Sequence, residues 1–581
     1  MSTKFTKQLV RRTFAYFAPP VIGLLLIAVI PSARAADAPI MTPQPQLSFA
    51  PSTPQAQLIA LIQGGTLPDL KWSNFSDYRE RVNKFYAGGG YALAWVQNQR
   101  PTPQALAMIA LFKNAQLKGM NPEDYGSSHW DGRVAKLAPV VSNPPDTDQA
   151  NFDLALTVCA MRYISNLRVG RVNPSDFKFA INLGPRTYDL PEHLRTQVIG
   201  ATDVDAVIAQ VEPPYAGYHR AESALAVYIK LAAQGDGQRL PEPARPIRPG
   251  KPYEGMPQLI ARLRQLGDLP AGQDAGSSDS IYKGAVVQAV KTFQRRHGLE
   301  EDGRLNAATV AELNKPLAYR VQQLQIALER YRWIAPDFPE PPILVNIPEF
   351  TLRTLRHQPA EFLTMRVVVG RAYRAQTPVF TGRMQYVILR PYWNVPIAIQ
   401  RHELVPKTER NRNYLVENNF EVVEHDGTVV SEGEVTDDIL DRLRAGSLGV
   451  RQKPGPKNAL GLAKFIFPNN YNVYLHSTPA TALFARARRD FSHGCIRVSD
   501  PAGLAAWVLR DKTGWNEDRI KATMNGTVDN VEVNLDKPIP VLILYSTAVV
   551  EPDNEVRFFD DIYGYDTALQ KVLDAGPPYP S

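Results

Sequence analysis

Cysteine is almost absent from this sequence: Cys159 and Cys495 are the only two among 581 residues. So few thiols, so far apart, exclude a disulfide-stapled scaffold and a cysteine-rich structural zinc site. An excess of positive charge is also missing once the first 35 residues are set aside. That segment holds Lys4, Lys7, Arg11, Arg12 and Arg34 and no acid, and the remainder carries 60 basic against 58 acidic residues, a net of +2. No basic stripe is left to track phosphates, so no nucleic-acid partner is expected. Long apolar runs are confined to Val21–Ile30, which is short for a membrane span, although Phe14 to Ile30 just reaches the required length. With the basic start before it and Ala33-Arg34-Ala35 after it, residues 1–35 read as a signal peptide, or as a membrane anchor if uncleaved.

What is present divides into several parts, as expected for a chain too long for one core. Residues 36–70, rich in Pro, Gln, Ala and Thr, read as a flexible linker. Residues 71–240 carry helical patterning, with Thr102-Pro103 as a cap and first-turn proline. Five prolines in 241–252 mark a second linker, and 253–316 reads as three short helices with Asn306 capping the third. From 340 to 548 β-branched runs dominate, interrupted by a charged segment at 402–450 that can form a lid over a cleft; 549–581 reads as a C-terminal tail. The fold class is multidomain α+β.

The chemistry concentrates in Ser492-His493-Gly494-Cys495-Ile496-Arg497, with His476 ending the alternating run Tyr471–His476. A thiol attacks as thiolate, and a nearby imidazole can take its proton. Cys159, in an apolar helical stretch, reads as a buried structural thiol. His476, rigidly held at a strand end, is the better base, whereas His493 either supports Cys495 or braces the loop. Gly494 permits close backbone approach, so its N–H and that of Cys495 are the natural oxyanion donors. Arg497 binds a substrate carboxylate or makes a structural ion pair, and Tyr474 and Trp393 line the cleft or simply pack. A zinc set of His402, His476, His493 and Cys495 is the weaker reading; no metal or other cofactor is expected.

The spacing from His476 to Ser-His-Gly-Cys-Ile-Arg resembles the signature of the L,D-transpeptidase (YkuD-type) catalytic domain. Thr377-Pro378-Val379-Phe380, Pro391–Pro396 (with Trp393 and Asn394 in the cleft-side block), Pro454–Gly461, Lys464-Phe465 and Tyr474–Pro479 extend the likeness. Val290–Gln294 with Leu299–Gly303 is similar to a peptidoglycan-binding domain, and Tyr91–Trp95 with Gly119–Tyr125 to the scaffold domain of the large members. The family pattern often has Asn where this chain has Asp500, which can still cap the helix that follows. The resemblance implies a mostly-β catalytic domain with a helical scaffold and a three-helix wall-binding module. It implies that Cys495 attacks a stem tetrapeptide, releases D-alanine as a thioester forms, and passes the acyl group to a second stem's amine as a 3→3 cross-link. It also implies that the Ser477 carbonyl orients His476; Asn394 joins Arg497 as a candidate substrate contact, and residues 1–35 point to export of the protein to the periplasm, free or anchored to the inner membrane. Its partners would be peptidoglycan stems and other wall-synthesis enzymes. Transfer to water (a carboxypeptidase or endopeptidase) or to a lipoprotein amine uses the same acyl-enzyme, and a non-catalytic wall-binding protein is the reading from another class.

Overall fold

The computed structural model describes residues 53–137, 145–181, 188–273, 280–334, 342–354, 362–372 and 375–577. The expected signal or anchor segment at 1–35 lies outside them. No helix among the described residues is long and apolar enough to cross a membrane.

The helical N-terminal part is built around Asp146–Val169, a 24-residue helix with buried residues on nearly every side. A helix apolar all round belongs in the middle of a core; Phe112, Tyr125 and Trp130 pack with it, and Cys159 is one of its own buried residues. Burial pushes the Cys159 thiol up to about 11, as suits an inert core thiol. The linker expected over 36–70 is corrected from Thr53 onward. Thr53 Oγ1 accepts from the Ala56 N–H at 3.3 Å, and the helix Pro54–Gly64 inserts Leu58 and Ile62 into this core. Composition there resembles a linker, but a Thr-Pro start before spaced Leu and Ile is a helix signal. The helix Ala216–Ala233 has a different partner: it packs on Leu317–Tyr331 and on a C-terminal hairpin.

The small module holds helices Met256–Gln265, Ala285–Arg296 and Ala307–Leu313. Its Gln294 is fully buried and clamps the turn below it. The side-chain amide donates to Arg304 O at 3.0 Å and Thr309 Oγ1 at 3.1 Å, while Oε1 accepts from the Gly303 N–H at 2.8 Å. The Phe-Gln and Asp-Gly pair seen in the sequence is thus one structural device.

The catalytic-side sheet has nine strands: β1 Ile343–Asn346, β2 Thr351–Thr354, β3 Thr364–Gly370, β4 Phe380–Leu389, β5 Ala463–Ile466, β6 Leu475–His476, β7 Asp490–Ser492, β8 Ile496–Val498 and β9 Val531–Leu544. They run in the order β7-β3-β8-β6-β5-β4-β9-β1-β2, and β2 also pairs with β3, so the sheet closes on itself. Val345, Val367, Val387, Phe465, Leu475 and Ile496 fill its core. The strand expected over Tyr471–His476 is shorter, because Asn472 takes a left-handed φ of 54° and only Leu475–His476 enters the ladder. Asn469 holds that turn: its Oδ1 accepts from the Tyr471 and Val473 N–H groups at 3.0 and 3.2 Å.

The segment expected at 402–450 is a subdomain with wider limits. Trp393–Asn394 pairs with Gly449–Gln452, which continues to Phe420–Val423 and Val429–Ser431, and Leu404, Leu415, Leu440 and Leu448 form a separate core. The expected tail at 549–581 is corrected as well. Ala548–Val550 and Val556–Phe558 form a hairpin, and Tyr565–Ala575 is a helix whose Leu569 and Leu573 join the catalytic core. Its polar surface composition hides buried positions at helical spacing.

Candidate active site

Parallel pairing of β6 with β8 matches Leu475 to Ile496 and His476 to Arg497. Because alternate residues share a face, Leu475 and Ile496 enter the core while Tyr474, His476, Cys495 and Arg497 stand together on the opposite face. Antiparallel pairing of β5 with β6 sets Lys464 opposite His476 on that same face.

His476 is buried, and its Nδ1–H donates to the Ser477 carbonyl at 2.5 Å. A carbonyl only accepts, so Nδ1 carries the proton and Nε2 keeps its lone pair. Burial, then the positive charges of Arg497 and Lys464, hold the imidazole pKa down to about 3. Gly461, at φ +60°, packs so closely behind Ser477 that a Cβ there would lie 2.4 Å from Ser477 Oγ.

The Cys495 sulfur hydrogen-bonds Asn472 O at 3.6 Å and the backbone and hydroxyl of Tyr474, rather than His476. Burial raises its pKa, against the opposing pull of Tyr474, Lys464 and Arg497. A raised thiol pKa and a lowered imidazole pKa both disfavour a thiolate–imidazolium pair in the free protein.

Gly494 has φ +115°, which favours glycine, but its N–H is already given to Ser492 Oγ at 3.1 Å. The oxyanion donor expected at Gly494 is thus occupied, which leaves the Cys495 N–H. Ser492 Oγ in turn donates to the Cys495 carbonyl at 2.6 Å. His493 points away from the thiol: its Nε2 meets Glu403 Oε1 of the inserted subdomain at 2.5 Å. Trp393 does two things, packing 6.2 Å from Phe420 in the subdomain and hydrogen-bonding the Tyr474 hydroxyl. Asn394 is exposed and pairs with Arg451. Arg497 makes no ion pair among the described residues, and its buried Nε has no hydrogen-bond partner. Asp500 Oδ1 caps the helix Pro501–Val508 by accepting from the Gly503 N–H at 2.9 Å.

Sequence reasoning missed the support beneath the loop. Thr377 Oγ1 donates to Gly494 O at 2.7 Å, and the Tyr563 hydroxyl donates to Gly370 O at 2.5 Å while accepting from the Thr377 N–H at 3.2 Å. Thr377 lay in a noted motif without a role, and Tyr563 lay in the supposed tail. Lys464 was quoted in a motif without a task. Among the described residues, the carboxylate and histidine group able to gather around a metal is Glu212, His219 and Glu222, away from this site. Lys118 Nζ already sits 2.6 Å from Glu212 and 2.9 Å from Glu222.

The β-rich domain thus presents a thiol and an oriented imidazole on one sheet face, an arrangement of the kind used in nucleophilic catalysis, and comparison with known families identifies the domains around it. Residues 341–533 match the L,D-transpeptidase catalytic domain (YkuD), 80–225 the scaffold domain, and 253–313 the family described as "Putative peptidoglycan binding domain". A Haemophilus influenzae protein named "Putative L,D-transpeptidase" is 36% identical over 248 residues, which are 43% of this chain and 49% of that protein. The chain thus spans about half the length of this relative. It carries an L,D-transpeptidase catalytic domain of the YkuD family together with a scaffold domain and a peptidoglycan-binding domain.

Proposed function

We propose that this protein is an exported peptidoglycan L,D-transpeptidase that forms 3→3 cross-links through a thioester on Cys495. The observation that carries the reading is the β5–β6–β8 register, which gathers Cys495, Tyr474, His476 and Arg497 on one face. The peptidoglycan-binding domain supports the choice of substrate, and the wall-enzyme domains support a place outside the cytoplasm.

In this mechanism the Cys495 thiol loses its proton to His476 Nε2 as it attacks the carbonyl of the stem's third residue. The transfer belongs to the attack itself, because the charged pair is disfavoured in the free protein. The Cys495 N–H holds the developing oxyanion. The protonated imidazole returns its proton to the departing D-alanine nitrogen, and Ser477 O keeps the ring in register throughout. The second stem's amine then attacks the thioester and restores the thiol. Arg497 takes a carboxylate of the donor, and the aromatic wall of Tyr474 and Trp393 borders the cleft.

Incubation with purified tetrapeptide-stem muropeptides, read by mass spectrometry, tests this. Dimers lacking one D-alanine are the expected product, and Cys495→Ala abolishes both them and the acyl-enzyme mass. Tripeptides alone would mean that water is the acceptor, and no change would leave a wall-binding protein.

A further inference from the structure

Lys464, His476 and Arg497 form one row across three adjacent strands, with the imidazole between two cations. Two interstrand spacings separate the outer backbones, roughly 10 Å, a gap that two long basic side chains can bridge from either side. Lys464 Nζ stands 4.3 Å from the centre of the Tyr474 ring. Both cations interact electrostatically with Cys495, and Arg371 adds a further positive charge beside Arg497.

Neither Lys464 nor Arg497 has a carboxylate partner among the described residues. Several sequestered cations elsewhere meet carboxylates, whereas buried Arg162 and Arg489 donate to backbone carbonyls instead. Lys118 meets Glu212 and Glu222, Lys315 meets Glu312 and Asp560, and Arg296 meets Asp268. Withdrawing an ammonium or guanidinium from water without a counter-ion is unfavourable. The Tyr474 ring gives the Lys464 ammonium a cation–π neighbour but no anion, and the buried Arg497 Nε, like several other arginine Nε atoms of this chain, has no hydrogen-bond partner.

We propose that Lys464 and Arg497 together seat the terminal carboxylate of the donor stem above His476, which makes Lys464 a specificity residue for donors that end in a free acid. This rests on the reading of Cys495 as the nucleophile toward stem peptides. The distances agree, since the carboxylate lies about one residue, ~3.8 Å in backbone span, beyond the bond being broken. The seat would select chain ends over internal peptide bonds.

The test uses the full-length protein and two synthetic tetrapeptide donors, one ending in D-alanine and the other in D-alaninamide, with kcat and KM taken from product mass spectrometry. The wild type should prefer the acid by about tenfold or more in kcat/KM, the size of one charge-assisted contact. Lys464→Met should collapse that preference mainly through KM, and Lys464→Arg should restore most of it. A weakened thiol slows both donors by the same factor and leaves their ratio unchanged, so the ratio isolates the carboxylate contact. Equal wild-type rates on the two donors, or a Lys464→Met ratio equal to wild type, overturn the seat and leave the acyl-enzyme reading intact. Turnover of neither donor by wild type overturns both. Should Lys464→Met fail to fold in a thermal melt, Lys464→Gln and the wild-type ratio decide.

Discussion

At the scale of single residues, the site is organised around keeping His476 uncharged. Its pKa is about 3 in the folded protein through burial and the neighbouring Arg497 and Lys464, against an ordinary value of about 6.5 when unfolded. Between those two values the unfolded chain binds one more proton than the folded one, so this residue's contribution to stability falls as pH drops through that window. The limiting slope is about 1.4 kcal/mol per pH unit. Denaturant melts from about pH 6.5 down to about pH 4 should show wild-type stability falling more steeply than that of His476→Gln, by about one proton. Equal slopes would contradict the burial argument. Cys495 and His476 stand out in the sequence because they sit in two short, dense motifs, whereas the Ser477 carbonyl was expected only through the family resemblance. The place of Lys464 opposite His476 was not legible, because it depends on which strand lies next to β6, a long-range pairing that no local pattern reports. The occupied N–H of Gly494 was hidden too, since it depends on the sign of one φ angle and on a hydroxyl two residues earlier.

At the scale of elements, the strongly β-branched strands and the three short helices were readable from periodicity and caps. The limits of the inserted subdomain were not, because its first strand, Trp393–Asn394, is two residues long and gains its identity by pairing with Gly449–Gln452. That subdomain meets the Ser492–Arg497 loop through Glu403 and His493, a partly exposed pair. Such pairs contribute under about 1 kcal/mol, so Glu403→Ala should leave the melting temperature nearly unchanged. Hydrogen exchange is the measurement that distinguishes a tether from decoration: faster exchange over residues 397–410 in the variant is expected, and identical protection would remove the tether. The small module offers the opposite case. Gln294 is buried with its amide fully used, so Gln294→Ala should cost about 1–3 kcal/mol per group left unsatisfied, read as a lower denaturant midpoint.

At the scale of the whole molecule, the segment after Leu544 ties separate parts together, although the catalytic-domain match ends at residue 533. Glu555 accepts from Arg295 of the small module at 2.9 and 2.6 Å. The hairpin at 548–558 shares a core with Ala216–Ala233 and Leu317–Tyr331, and Gly576 approaches Trp72 so closely that a Cβ would lie 1.9 Å from its ring. A chain shortened after residue 548 should therefore lose thioester formation and cooperative melting together; retention of both would reduce the segment to an ornament. Tyr563 gives this arrangement a consequence in time. Synthesis runs from the N-terminus at about 5–20 residues per second, so Cys495 is made before the tyrosine whose hydroxyl joins Gly370 and Thr377 beneath its loop. Until that late residue arrives Thr377, which reaches Gly494 O, lacks its own brace, so the surroundings of the thiol are completed only near the end of the chain's synthesis.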